Sequence, residues 1–102
     1  MIRRLNPTDY YDGPYRPGTH CVLLALSDEL TAAAAPPVRR VADAMPTVTF
    51  WICNVTGPED AEAVQAVRYP QYRFIRDGTE RHCHVGLLDD DQLVDCFDKL
   101  ED

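Results

Sequence analysis

The side chains best suited to nucleophilic, redox or metal chemistry in this sequence are four cysteines, Cys21, Cys53, Cys83 and Cys96, and the pair His82 and His84 that brackets one of them. No two cysteines stand in a Cys-x-x-Cys, and none shows the paired spacing of a structural zinc site, so reduced thiols are expected. Cys21 and Cys53 fall in apolar runs and Cys96 on the apolar stripe of the last helix, where free cysteine acts as a small core hydrophobe. Cys83 is the most exposed by pattern, and a regulatory thiol there is the alternative kept open. On a strand His82 and His84 project to one face, as two imidazole ligands would, yet no third ligand is set by the sequence. Solvated polarity is the expectation there. The Asp89–Asp91 run lacks the alternating ligands and glycine of a calcium loop and reads as a helix cap with a solvated face. No metal or other cofactor is implied.

The elements that must position these groups start with Val22–Pro37, an apolar run feeding a helix, the junction where α/β folds usually carry their chemistry. Its turn holds Ser27, Asp28, Glu29, Leu30 and Thr31, which include no evident nucleophile and no redox pair. Ser27 or Asp28 is the expected cap, and Pro36 and Pro37 predict a kink or restart before Val38, Val41 and Met45. Residues 1–17 predict an arm with a brief strand at Ile2–Leu5 and one helical turn begun by Thr8 or Asp9. Its tyrosines, Tyr10, Tyr11 and Tyr15, are either interface residues or a cover for the core. Val48–Val55 predicts a buried strand with Trp51 in the core. Thr56 and Glu59 stand at capping-box spacing with Pro58 in the first turn, and Ala61, Val64 and Val67 supply an inner stripe. Gln71–Arg76 and Glu80–Val85 flank Asp77-Gly78 as a β-hairpin. Asp89 with Gln92 opens the last helix, lined by Leu93, Phe97 and Leu100. The order β-(turn)-β-α-β-α-β-β-α predicts a three-layer α/β arrangement around a mixed sheet with a C-terminal antiparallel hairpin and terminal helix.

Composition narrows the partners. A chain of 102 residues, 45% hydrophobic, suits one domain, and a net charge of −7 opposes general attraction to nucleic acid or anionic lipid. Arg3–Arg4 and Arg39–Arg40 are the only adjacent basic pairs and read as solvated faces. Neither a signal peptide nor a membrane span is evident, so the expected location is the cytoplasm or wherever a partner assembly resides.

In this order and at these spacings the chain resembles a thioredoxin-fold domain from Ile2 to Leu100. The carriers are the strand Val22–Leu26, Pro37 in the following helix, the strand ending at Asn54, a proline before the hairpin (Tyr69-Pro70), the turn Arg76-Asp77-Gly78, and Val85-Gly86 before the last helix. Residues 1–17 would be an arm and 18–102 the thioredoxin-like domain. The resemblance implies a cis Tyr69–Pro70 bond and places His82-Cys83-His84 on an edge strand. It also places the family's Cys-x-x-Cys on Glu29-Leu30-Thr31-Ala32 and its buried acid on Leu23, so both sulfurs and the acid are absent.

The function that follows is a redox-inactive, non-enzymatic interaction or structural subunit. The family's groove would here be formed by Ser27, Asp28, Glu29, Leu30, Tyr69, Pro70 and Gly86, docking a protein partner by strand addition, with Tyr10, Tyr11 and Tyr15 as a second contact. Settings implied by resemblance are a maturation chaperone, a polymerase complex or a virus particle. A small-molecule pocket at the same groove, with Glu29 as its polar anchor, is a weaker expectation, and an acidic ligand is disfavoured there because Asp28 and Glu29 already place negative charge at the helix start. The alternative is a thiol-dependent oxidoreductase or redox sensor using a non-motif cysteine such as Cys83.

Overall fold

The structure is a computed structural model that describes residues 2–25, 28–66 and 68–100, with the backbone alone at 28–30. Its elements are β1 (Ile2–Arg4), a 3-10 turn (Pro7–Asp9), β2 (Thr19–Ala25), α1 (Asp28–Ala44), β3 (Val48–Asn54), α2 (Pro58–Val64), β4 (Gln71–Arg76), β5 (Thr79–Val85) and α3 (Asp90–Asp98). They form one mixed sheet in the order β1-β3-β2-β4-β5. β3 is parallel to both β1 and β2, whereas β4 is antiparallel to β2 and to β5. The apolar run of β2 is explained by its place: it is the central strand, covered on both faces.

Alternation along the strands divides the core into two layers. On one face Cys21, Leu23, Phe50, Ile52, Tyr72 and Phe74 pack against α1 and α3. α1 contributes Ala34, Ala35, Val38, Val41 and Ala42, a stripe at helical spacing whose alanines let the helix lie close to the sheet. α3 contributes Leu93, Cys96 and Phe97, and its predicted capping box forms, with Gln92 N–H donating to Asp89 Oδ1 at 2.8 Å and Asp89 N–H to Gln92 Oε1 at 3.0 Å. On the other face Val22, Leu24, Trp51, Cys53 and Ile75 pack against Val64 of α2 and against Leu5 and Tyr10.

Two local expectations change. Pro36 and Pro37 both lie inside α1, which continues without a restart from Asp28 to Ala44. The missing N–H groups leave the carbonyls of Ala32 and Ala33 without their intrahelical donors. The capping box at Thr56 and Glu59 does not form. The α2 N-cap is Gly57, without a side-chain cap, and Thr56 instead donates its N–H and hydroxyl to the Asp60 carboxylate at 3.0 and 2.8 Å. Val67 of the predicted stripe lies outside the described residues. The hairpin turn is as expected, with Asp77 and Gly78 at φ of 50° and 82°.

Residues 2–17 pack against the sheet. Leu5 donates its N–H to the Ile52 carbonyl at 2.9 Å, and Tyr10 is only 1% exposed. What holds Tyr10 is Arg73, a 7% exposed guanidinium on β4. Arg73 donates to the Tyr10 hydroxyl at 3.1 Å, to the carbonyls of Val64 and Gln65 at 2.5 and 2.9 Å, and to Gln71 Oε1 at 2.5 Å. Val64 and Gln65 end α2, with Gln65 left-handed at φ 54°, so Arg73 satisfies carbonyls that a helix terminus leaves over. Arg73→Met keeps the bulk and removes the donors. It is expected to cost about 3 kcal/mol, since buried acceptors lose their partners. A urea midpoint unchanged from the parent would show that the network contributes nothing.

Candidate functional site

The region where this sheet would carry chemistry is the end at which β2 runs toward α1. Asp28, Glu29 and Leu30 open α1 in backbone, while their side chains and all of Ser27 lie outside the described residues. Thr31 donates its hydroxyl to Asn54 Oδ1 at 2.9 Å, tying the first turn of α1 to the end of β3. Tyr69–Pro70 is a cis peptide bond, as the resemblance implied. The Tyr69 hydroxyl donates to the Ala66 carbonyl at 2.8 Å, and the Pro70 carbonyl accepts the Gly86 N–H at 2.9 Å. Gly86 sits at φ 111°, a conformation that favours glycine, so Tyr69, Pro70 and Gly86 are brought together as one loop pair. Beside it Val85 and Leu87 are 45% and 53% exposed, an apolar surface at the end of β5.

The tyrosines of the arm behave differently from one another. Their rings cluster, with centroids 4.9 to 5.5 Å apart. Tyr10 is turned into the core, and burial pushes its hydroxyl well above the usual tyrosine range. The reading of Tyr10 as a partner contact is therefore corrected: its ring is spent within the fold, under the Arg73 guanidinium at 5.3 Å. Tyr15 is half-buried and its hydroxyl lies 3.4 Å from that of Tyr10, which leaves Tyr11 as the exposed member.

The cysteines separate clearly. Cys21, Cys53 and Cys96 are buried and Cys83 is exposed. Burial raises Cys21 well above the ordinary thiol range, lifts Cys53 to about 11 with help from Asp60, and raises Cys96. Cys83 stands opposite Arg73 in the β4–β5 register. Its thiol is also raised, by partial burial and then by Glu80, while the charge and hydrogen bond of Arg73 pull the other way. His82 and His84 do share a face, but it is not the solvated one expected. Their rings lie 5.5 Å from Phe74 and 6.3 Å from Tyr72, and His82 Nε2 is buried without a hydrogen-bond partner among the described residues. Burial, Lys99 and His84 hold the His82 pKa down. Among the described residues no three His, Cys, Asp or Glu side chains converge as a metal site, and no helix is long and apolar enough to cross a membrane.

Sequence reasoning missed Arg73, which it treated as one position in an alternating strand. The available signal was an arginine enclosed by Tyr72, Phe74 and Ile75 on a strand whose two faces are both apolar.

No protein-family model matches the sequence, and no curated protein matches it in sequence. Solved structures do match in shape. The thioredoxin of Fasciola hepatica is 20% identical with a TM-score of 0.78, over 99% of this chain and 100% of that one. Mitochondrial thioredoxin 3 of Saccharomyces cerevisiae, in its oxidised form, is 19% identical with a TM-score of 0.78, over 97% and 95%. A chain from work on the thiol-resolving mechanism of a yeast mitochondrial 1-Cys peroxiredoxin is 18% identical with a TM-score of 0.79, over 98% and 96%. These neighbours overturn the expectation that the chain is not an enzyme, because they come from thiol oxidoreductase systems. A missing dithiol at residues 29–32 excludes one mechanism and not the class. None of them supports a structural subunit or a virus-particle setting. Strand order, crossovers, the cis Tyr69–Pro70 bond and these likenesses together show that the chain has the thioredoxin fold.

Proposed function

We propose that this chain is a thiol-dependent redox protein that works through Cys83, outside the position of the family's dithiol. The observation that carries the reading is exposure: of four cysteines, Cys83 is exposed and the other three are buried. The chemistry is thiol–disulfide exchange. The Cys83 thiolate attacks one sulfur of a disulfide, forms a mixed disulfide, and expels the other sulfur as a thiolate; a second external thiol then restores Cys83 by the reverse sense of the same exchange. A raised thiol pKa makes the thiolate scarce near neutral pH but individually more nucleophilic, so exchange at Cys83 is slow there and quickens as pH rises.

A partner polypeptide would be recognised at the adjoining loops. Cys83 and Val85 share a face of β5, and Val85 pairs with Gln71, the residue after Pro70. Two strand positions separate the thiol from that pair, about 7 Å along β5. Tyr69, Pro70 and Gly86 would hold the partner as an extended strand, and exposed Val85 and Leu87 supply apolar contact.

Two measurements follow. Under native conditions a thiol-labelling reagent is expected to modify Cys83 first, with a rate that climbs with pH through and beyond the ordinary thiol range; a flat profile, or first labelling of Cys21, Cys53 or Cys96, contradicts the reading. With glutathione disulfide as the probe, intact mass is expected to rise by a single adduct that Cys83→Ser abolishes. An adduct that survives this substitution, or none in the parent, sinks the proposal.

A further inference from the structure

The sheet has two edges, and the one opposite Cys83 is β1. Among the described residues β1 pairs with β3 alone, so its other side presents an open row of backbone groups. Because Leu5 N–H donates to Ile52, the two-residue alternation turns the amide and carbonyl of Arg4 to the open side. Clefts flank this strand on both faces. On the face of the arm, an open cleft of about 350 Å3 is lined by Arg3, Arg16, Asp9, Asp12 and Trp51, among others. On the face of α1, a second of about 190 Å3 has walls of Ile2, Ala35 and Ile52 with Arg4 and Arg39 at its rim.

The charge of the two clefts differs. The first holds Asp9 and Asp12 beside its arginines, with Arg16 Nε donating to the Asp12 carbonyl at 2.8 Å. The second has no carboxylate among its described lining residues. Arg4 and Arg39 form no ion pair among the described residues, whereas Arg40 next to them is bound to Asp90 at 2.6 Å. Arg3, Arg4, Arg16 and Arg39, four of the ten basic residues of a chain with net charge −7, thus surround one short strand. At physiological salt the acidic surfaces elsewhere are screened beyond about 8 Å, so an approaching segment meets the local arginines.

We propose that the open edge of β1 is a docking strand for an extended acidic segment of a partner protein, whose alternate carboxylates enter the cleft between β1 and α1 and meet Arg4 and Arg39. Successive side chains of an added strand point to opposite faces, so every second residue reaches this cleft while its neighbours lie over the Arg3–Trp51 stack, where the guanidinium sits 5.7 Å from the ring. Carboxylate–guanidinium pairing sets the chemistry, and the backbone edge sets the extended form.

The test uses the intact protein and a labelled peptide Thr-Glu-Val-Glu-Thr-Val, with a Lys-for-Glu version as control, read by fluorescence anisotropy at physiological ionic strength. The Glu peptide is expected to bind and to protect amides of residues 2–5 from hydrogen exchange. Arg39→Glu, on an exposed turn of α1, is expected to weaken it about tenfold or more, whereas Cys83→Ser at the far edge leaves it unchanged. Equal binding of the Lys peptide, indifference to Arg39→Glu, or protection elsewhere in the sheet would show that these arginines only shield the edge, and so would self-association through β1 without affinity for either peptide.

Discussion

A permanently charged guanidinium carried into the interior sets the terms for one whole layer of this molecule. Arginine cannot shed its proton, so Arg73 must be surrounded by acceptors, and it recruits four from three parts of the chain: Gln71 on its own strand, Val64 and Gln65 at the end of α2, and Tyr10 from the arm. Its one carboxylate partner, Glu80, lies 3.5 Å away on the neighbouring strand. Desolvation is thus offset mainly by neutral dipoles. The same group ends α2, seats the arm and biases the thiol of Cys83 across the ladder. Much of what looks like separate local structure on this face answers to a single side chain.

The order of elements was legible because two periods carry it. Period-2 apolar alternation marked the hairpin, continuous runs marked β2 and β3, and helical stripes with a capping box marked α3. The brief strand and single turn of the arm were legible too, but where they seat was not, because the partner of Ile2 is Phe50, far along the chain. Thr56 and Glu59 had the right spacing for a cap, yet Asp60 offers a carboxylate one residue further on and takes both Thr56 donors. His82 and His84 were correctly set on one face, but strand alternation cannot say that Tyr72 and Phe74 stand beneath them. At the site, the cis bond before Pro70 came through resemblance, and exclusion of enzyme activity failed because it treated the absence of one motif as the absence of a chemistry.

A common scaffold does not specify a common reaction, and here the divergence has a physical location. The start of α1 is helical from Asp28 and the cis bond stands at Tyr69–Pro70, while residues 29–32 carry no sulfur. Exposed sulfur and exposed positive charge have moved to the two margins of the sheet, Cys83 on β5 and the arginines around β1. The centre supplies rigidity, and the margins supply groups that a partner can touch.

Trp51 is the sole tryptophan and sits where these parts meet. Its indole N–H donates to His20 Nδ1 at 3.1 Å, and His20 Nε2 lies 3.2 Å from the Pro17 carbonyl, an arrangement that selects the Nε2–H tautomer. Arg3 covers one side of the ring, and Gly13 leaves room for it, since a Cβ there would fall 3.1 Å from Cζ3. The molecule therefore carries a built-in optical reporter: the emission of this one indole reads the seating of the arm, the start of β2 and the margin at β1, with no label attached.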